Sequence, residues 1–172
     1  MTLPLNPKEK QELARIMLRC AMWVSISDEA GGNSSQSAEE RVLKRRIQTL
    51  YKSARTGTDE REILGIILSN TQYWRAWCED LISLMPEIRS VSPRFPIPMR
   101  KIAMGLATDV ATAFEERSAF SSFLMRTGLR FKAIFSKSDS YLSPEERASI
   151  SASEMAALKE LALALAISDF HI

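Results

Sequence analysis

The chain has 172 residues, 45% of them hydrophobic and 26% charged, which is enough for one domain with a sizeable core and excludes a fully disordered chain. Its 23 basic and 21 acidic residues give a net charge of +2, so no overall charge attracts nucleic acid or anionic lipid. No stretch reaches the roughly 18 apolar residues of a membrane span, and the N-terminus lacks the order of a signal peptide, so we expect a cytoplasmic protein.

The first predicted helix runs from Pro7 to about Ser27. Asn6 is a good N-cap, Pro7 suits the first helical position, and Glu9 stands where a capping box places its acid. Apolar residues then recur at steps of three and four, which indicates an α-helix. They are Leu13, Ile16, Met17, Cys20, Trp23 and Val24.

A second helix is predicted after the break at Gly31–Gly32. Ser37 is its expected N-cap, and Glu40, three residues on, is the capping-box partner. Its buried stripe comprises Val42, Leu43, Ile47 and Leu50, and Gly57 ends the segment. A third helix is expected to start at Thr58 or Asp59 and to carry Ile63, Ile66, Ile67 and Leu68.

Asn70 is expected to cap a fourth helix that carries Tyr73, Trp74, Trp77, Leu81 and Leu84. The residues between 86 and 98 then include four prolines, which predict a linker between two halves at about 6–85 and 99–172. Within this linker, Pro93 to Pro98 is expected to be an extended stretch over the surface.

The second half predicts helices from Met99 to Phe114 and from Ser118 to about Lys137, and a short helical turn at Ser143. A last helix is expected to start at Ser151 or Ser153 and to carry Leu158, Leu161, Leu165 and Ile167. The sequence thus predicts an all-α single domain over residues 1–172, with about seven or eight helices in two related halves.

One pattern occurs once in each half: a helical run ends in Ser-Asp, a polar loop follows, and acids open the next helix. The first copy offers Asp28, Glu39 and Glu40, and the second offers Asp139 and Glu154. Carboxylates between helices suit a hard divalent cation such as calcium, magnesium or manganese. The alternative is that these acids only cap helices and complement their dipoles.

Neither acidic loop is a standard EF-hand. If Asp28 is position 1, Glu39 fits position 12, but positions 3 and 5 are Ala30 and Gly32, which supply no side-chain oxygen. Counting from Asp139 puts Ile150 at position 12. The spacing alone therefore leaves both the cation site and the helix caps open.

The second copy resembles the TerB-like tellurite-resistance family in Ala133–Asp139, and in Glu154 running into Leu158–Leu165 and Ser168–Phe170. The first copy, Val24–Asp28 and Glu39–Arg41, is similar to the other acidic segment of that family. The resemblance implies an all-helical pseudo-twofold bundle that binds a divalent cation and acts in stress-response and membrane-associated complexes. It implies Asp28 with Glu39 or Glu40, and Asp139 with Glu154, as candidate ligands.

No residue pattern points to catalysis. His171 is the only histidine and lies next to the C-terminus, and no phosphate-binding glycine motif is present. Cys20 and Cys78 lie in apolar surroundings and are expected to be free buried thiols. We therefore expect a non-catalytic protein.

Two surfaces have a functional and a structural interpretation. Lys44, Arg45 and Arg46, with Lys52 and Arg55, form a basic face that is expected to be solvated rather than to bind nucleic acid. Tyr73, Trp74 and Trp77 lie at helical spacing and are either core residues or a groove for a protein partner.

The leading hypothesis is a cation-binding module that docks partner proteins, and the alternative is an interaction domain without metal. The oligomeric state is left open.

Overall fold

The structure, a computed structural model, describes residues 4–27, 33–112 and 150–168. Within these ranges, residues 25–27 and 33–39 are described by their backbone alone. Within these ranges the chain forms seven α-helices and one 3₁₀ turn, and it contains no β-strand. The helices are α1 (Pro7–Ser27), α2 (Asn33–Ser53), α3 (Asp59–Ser69), α4 (Trp74–Trp77), α5 (Leu84–Val91), α6 (Ile97–Thr112) and α7 (Ala152–Ala164), with the 3₁₀ turn at Thr71–Tyr73. The predicted all-α class is confirmed.

Helix α1 begins where the local sequence predicts and lies at the centre of the fold. The Asn6 side chain accepts a hydrogen bond from the Glu9 N–H at 3.0 Å, and the Glu9 carboxylate accepts one from the Asn6 N–H at 2.8 Å. Between Leu13 and Val24, the side chains are buried all round the helix except at two half-buried positions. Such a helix needs cover on every side, and α1 contacts each of the other six helices.

Helix α2 begins at Asn33, so the predicted N-cap at Ser37 is wrong. The backbone is already helical four residues before Ser37, which lies inside the helix and cannot cap it. The expected capping-box role of Glu40 is wrong for the same reason, because a capping box needs its N-cap residue. Of the predicted stripe, Leu43, Ile47 and Leu50 are buried and Val42 is half-buried.

The turn from α2 into α3 depends on Gly57 and Thr58. Gly57 has a φ of +81°, which glycine adopts without steric cost. The Thr58 hydroxyl accepts a hydrogen bond from the Arg61 N–H at 3.3 Å, which confirms it as the N-cap. The Arg61 guanidinium donates to the carbonyls of Tyr51 and Ala54 at 3.0 and 2.8 Å, and so satisfies carbonyls at the C-terminal end of α2.

The predicted fourth helix is broken into two pieces. Helix α4 ends after one turn at Trp77, and α5 begins only at Leu84. The Asn70 side chain does not cap α4 but donates to a carbonyl of α3 at 2.8 Å. The break coincides with a long-range hydrogen bond, since Arg19 of α1 donates to the carbonyl of Asp80. Apolar spacing within one segment does not reveal such a contact.

The proline-rich segment forms helices and turns rather than the extended stretch that was predicted, although its prolines remain at least partly exposed. Pro86 is the third residue of α5, and Pro98 is the second residue of α6. The first N–H groups of a helix have no intrahelical acceptor, so proline costs little there. The side chains of Ile88, Val91 and Phe95 are buried, and the segment therefore joins helices through packed structure.

Helices α6 and α7 bring the second half of the sequence into the same core. Every residue of α6 from Ile102 to Ala111 is buried. Helix α6 contacts α1, α2 and α7, and α7 also contacts α1 and α5. Of the two starts predicted for α7, Ser151 and Ser153, the structure has Ser151 as the N-cap. The described helices thus form one domain, as predicted.

Three predicted features of the second half lie outside the described residues. They are the predicted helix end at Phe114, the helix from Ser118 to Lys137, and the turn at Ser143. The pseudo-twofold relation of residues 6–85 to residues 99–172 stays a prediction.

Candidate functional site

Most of the two acidic loops lies outside the described residues. Asp28 and Asp139 are not described, although α1 ends at the residue before Asp28. Glu39 is placed by its backbone alone, within α2, and the adjacent Glu40 is half-buried. The cation-ligand role of these four acids stays a prediction.

Glu154 is the one candidate ligand with fully described partners. It is 5% exposed, its carboxylate accepts a hydrogen bond from the Ser151 N–H at 2.9 Å, and its own N–H donates to the Ser151 hydroxyl at 3.2 Å. This reciprocal pair is a complete capping box at the start of α7. Glu154 therefore has the helix-capping role that the sequence offered as the alternative, and a cation there would compete with the cap.

The thiols are free and lack nucleophilic character. Cys20 and Cys78 form no disulfide, and Cys20 is fully buried. Burial raises the pKa of both thiols, that of Cys78 to about 11, which disfavours the reactive thiolate at neutral pH. Among the described residues, no three Cys, His, Asp or Glu side chains are grouped so that they could hold a metal ion.

The aromatic cluster divides into a buried anchor and exposed positions. Trp74 is 6% exposed, and its indole N–H donates to the carbonyl of Ile67 at 2.9 Å, which fastens α4 to α3. Trp74 is therefore a core residue, and its side chain is not available to a partner. Trp77 is half-buried against the core, whereas Tyr73 is 52% exposed.

A second large apolar side chain is exposed nearby in the sequence. Ile82 lies between α4 and α5 and is 89% exposed. We call residues 70–83 the docking segment, because this irregular stretch carries Tyr73, Trp77 and Ile82. Exposed aromatic and aliphatic residues on a rigidly held segment are the kind of anchors that protein interfaces use.

An ion-pair network holds the docking segment in place. Arg19 is 2% exposed, and its guanidinium donates to the Asp80 carbonyl, to the Ser83 hydroxyl at 3.0 Å and to the Glu87 carboxylate. Arg15 donates to the other oxygen of Glu87 at 2.7 Å. A buried guanidinium requires such partners, and here they clamp the far end of the docking segment to α1.

Sequence reasoning missed this network, although one signal was present. Arg19 is the only charged residue between Ile16 and Ser27, in an otherwise apolar and weakly polar run. A cation within an apolar helix indicates a buried, paired side chain. Its partners could not be identified, because Asp80 and Glu87 are more than sixty residues away.

No protein-family model matches the chain, and comparison with curated proteins and with solved structures finds no match. The resemblance to the TerB-like family therefore stays an expectation from the two acidic segments. No helix in the described part of the chain is both long and apolar enough to cross a membrane.

Proposed function

We propose that the chain is a non-catalytic helical module that binds a partner protein through its docking segment. The observation that supports this most directly is the exposure of Tyr73 and Ile82, at 52% and 89%, on a segment with buried supports on both sides. Trp74 fastens one side to α3, and Arg19 fastens the other to α1. Exposed side chains on a segment that is already held in place lose less conformational entropy when they bind.

The proposal is tested by replacing the exposed side chains without touching their supports. A Tyr73→Ser, Ile82→Ser double variant is expected to capture the partner from an extract of the source cells at least about tenfold less efficiently, because interface anchors each contribute 1 kcal/mol or more. Quantitative mass spectrometry of the captured proteins measures the loss.

A matched control removes exposed apolar side chains elsewhere. Ile97 and Leu163 are 63% and 80% exposed and lie on α6 and α7. The Ile97→Ser, Leu163→Ser variant is expected to capture the same proteins as the unchanged chain. Equal capture by the unchanged chain and both variants would contradict the proposed surface.

Binding of calcium, magnesium or manganese at the acidic loops is the second candidate function, in the stress-response setting that the TerB-like resemblance implies. It is favoured by the position of Asp28, directly after α1 and five residues before α2 begins at Asn33. The support for this candidate is a short connection that contains Asp28 and leads into a helix whose sequence carries Glu39 and Glu40.

Calorimetric titration of the metal-stripped chain tests this candidate. Saturable heat that disappears in an Asp28→Ala, Asp139→Ala double variant supports a cation site at the acidic loops, and its stoichiometry separates one site from two. Absence of heat and of any change in thermal stability at millimolar cation leaves the acids as helix caps.

We further propose the cytoplasm as the place where this module acts. The support is chemical, since Cys20 and Cys78 are free thiols rather than a disulfide, as is usual in a reducing compartment. Fractionation of source cells with antibody detection tests it, and recovery in an oxidising compartment would count against it.

A further inference from the structure

Helix α2 carries exposed cationic side chains on the face opposite its buried stripe. We call Arg41, Lys44, Lys52 and Arg55 the cationic row; the last of these lies just beyond the end of the helix. All four are exposed, and none forms an ion pair with any described residue. Arg45, on the same helix, is also exposed.

The cationic row is an unbalanced charge in a chain whose charges are otherwise balanced. No Asp or Glu occurs between residues 41 and 58, and the helical part of the row extends over roughly 16 Å at 1.5 Å per residue. By contrast, Lys10, Arg15, Arg19 and Arg46 each form an ion pair with a carboxylate.

The helix dipole explains only part of the row. Lys52 lies in the last turn of α2, where a cation complements the negative end of the dipole. Arg41 and Lys44 lie in the middle of the helix, more than one turn from either end, where the dipole has little effect. A solvated helix face normally mixes both signs of charge, and residues 41–55 contain no acid.

The surroundings of the row favour a narrow anionic partner over a broad one. The first turn of α3 contains Asp59, Glu60 and Glu62, and the hydrogen bonds of Arg61 hold that turn against the end of α2. These carboxylates oppose the broad array of phosphates that a nucleic acid presents. A single acidic segment of a protein lying along α2 needs a much narrower cationic surface, which the row supplies.

The aromatic residue of α2 is also not open to stacking on nucleic-acid bases. Tyr51 is the only aromatic residue of α2, and the Arg61 guanidinium covers its ring at 4.4 Å from the centroid. Recognition of single-stranded nucleic acid relies on open aromatic rings.

We propose that the cationic row binds an acidic segment of a partner protein, with carboxylates that recur at about one-turn spacing. This inference does not depend on the docking segment.

The test measures binding of a defined acidic probe by fluorescence anisotropy at physiological ionic strength. The probe is a labelled helical peptide with glutamate at successive turns, and a labelled DNA duplex is measured beside it. The Arg41→Gln, Lys44→Gln, Lys52→Gln, Arg55→Gln variant is expected to bind the peptide about tenfold more weakly, since it loses four exposed ion pairs to the peptide.

The matched control removes three exposed cations that also lack ion pairs and lie outside both the row and the docking segment: Lys8, Arg89 and Lys159. Their replacement by Gln lowers the net charge by three and is expected to leave peptide affinity nearly unchanged. Circular dichroism checks that both variants fold.

Three results would overturn the proposal. They are an equal loss of affinity in both charge variants, a lack of saturable peptide binding by the unchanged chain, and tighter binding of DNA that the row variant loses. The Tyr73→Ser, Ile82→Ser variant is expected to keep its peptide affinity, so failure of the docking segment and failure of the row are separate outcomes.

Discussion

The end of α7 contains a residue in a conformation that its side chain disfavours. Ala166 has a φ of 51°, in the left-handed region. The Ile167 N–H donates to the Ala162 carbonyl at 3.0 Å and the Ala166 N–H to the Leu163 carbonyl at 3.1 Å, which is a Schellman motif that normally has glycine at this position. The motif persists because Ile167 is buried in the core.

We expect Ala166→Gly to stabilise the protein by about 0.5–1 kcal/mol. Glycine removes the steric cost of the left-handed conformation, and its greater freedom in the unfolded chain offsets part of the gain. Urea unfolding measures the change. The control is Ala156→Gly at an exposed position inside α7, which is expected to destabilise the protein by about 1 kcal/mol. Destabilisation by both substitutions would contradict the interpretation.

The capping residues show what local sequence predicts well. The box of Asn6 with Glu9 was predicted, and the box of Ser151 with Glu154 shows the same local pattern, because each involves only a side chain and a backbone group three residues away. Ser37 has the same local pattern but lies inside α2. A capping motif marks a position at which a helix can start. The helix begins earlier where the residues before the motif are also helical.

Between elements, the link from α1 to α5 depends on Glu87. We expect Glu87→Gln to destabilise the protein by about 2–3 kcal/mol, because it leaves the buried guanidinium of Arg19 without its carboxylate. Thermal and chemical unfolding measure this loss. Arg15→Gln is the control, since Arg15 is 42% exposed at the same carboxylate, and it is expected to cost less than about 1 kcal/mol. Equal effects would contradict a buried clamp.

The link from α1 to α3 predicts a pH dependence. Lys10 lies 2.7 Å from both Asp59 and Glu62, and its hydrogen bond lowers the pKa of Asp59. A carboxylate with a lowered pKa contributes stability above its unfolded value of about 4, and the contribution is lost as the pH falls through the folded pKa. Lys10→Gln is therefore expected to flatten the stability profile below about pH 4.

At alkaline pH the ion pairs of Lys10 change the stability in the opposite direction. Hydrogen bonds to Asp59 and then Glu62 raise the pKa of Lys10, so its contribution is complete below the unfolded value of about 10.4 and is lost as the pH rises through the folded pKa. Urea unfolding at a series of pH values measures both changes. If the free energy of unfolding of the Lys10→Gln variant falls below about pH 4 as steeply as that of the unchanged chain, this ion pair does not couple α1 to α3.

At the scale of the whole molecule, one core predicts one unfolding transition. Fluorescence of the tryptophans in α1 and α4 reports the first half, and hydrogen exchange of α7 reports the second. Because α7 packs on α1 and α5, the two signals are expected to share one midpoint in denaturant. Loss of protection in α7 before the fluorescence changes would indicate halves that unfold separately.

The helical class was predictable as a whole, whereas the connections between helices were not. Apolar spacing is a property of one segment, and it identified α1, α2, α3, α6 and α7. The break after Trp77 and the packed proline segment depend on contacts with α1, such as that from Arg19 to Asp80. The division of the aromatic cluster into buried Trp74 and exposed Tyr73 depends on the path of the chain between α3 and α5.

The central claim, that this helical module docks a protein through residues 70–83, is tested most directly by photo-crosslinking. A benzoylphenylalanine placed at Tyr73 in the full chain is irradiated in an extract of source cells, and the same group at Ile97, which is similarly exposed, is the control. The account predicts a discrete adduct from position 73 that position 97 does not give. No adduct at position 73, or the same adducts from both positions, would contradict it.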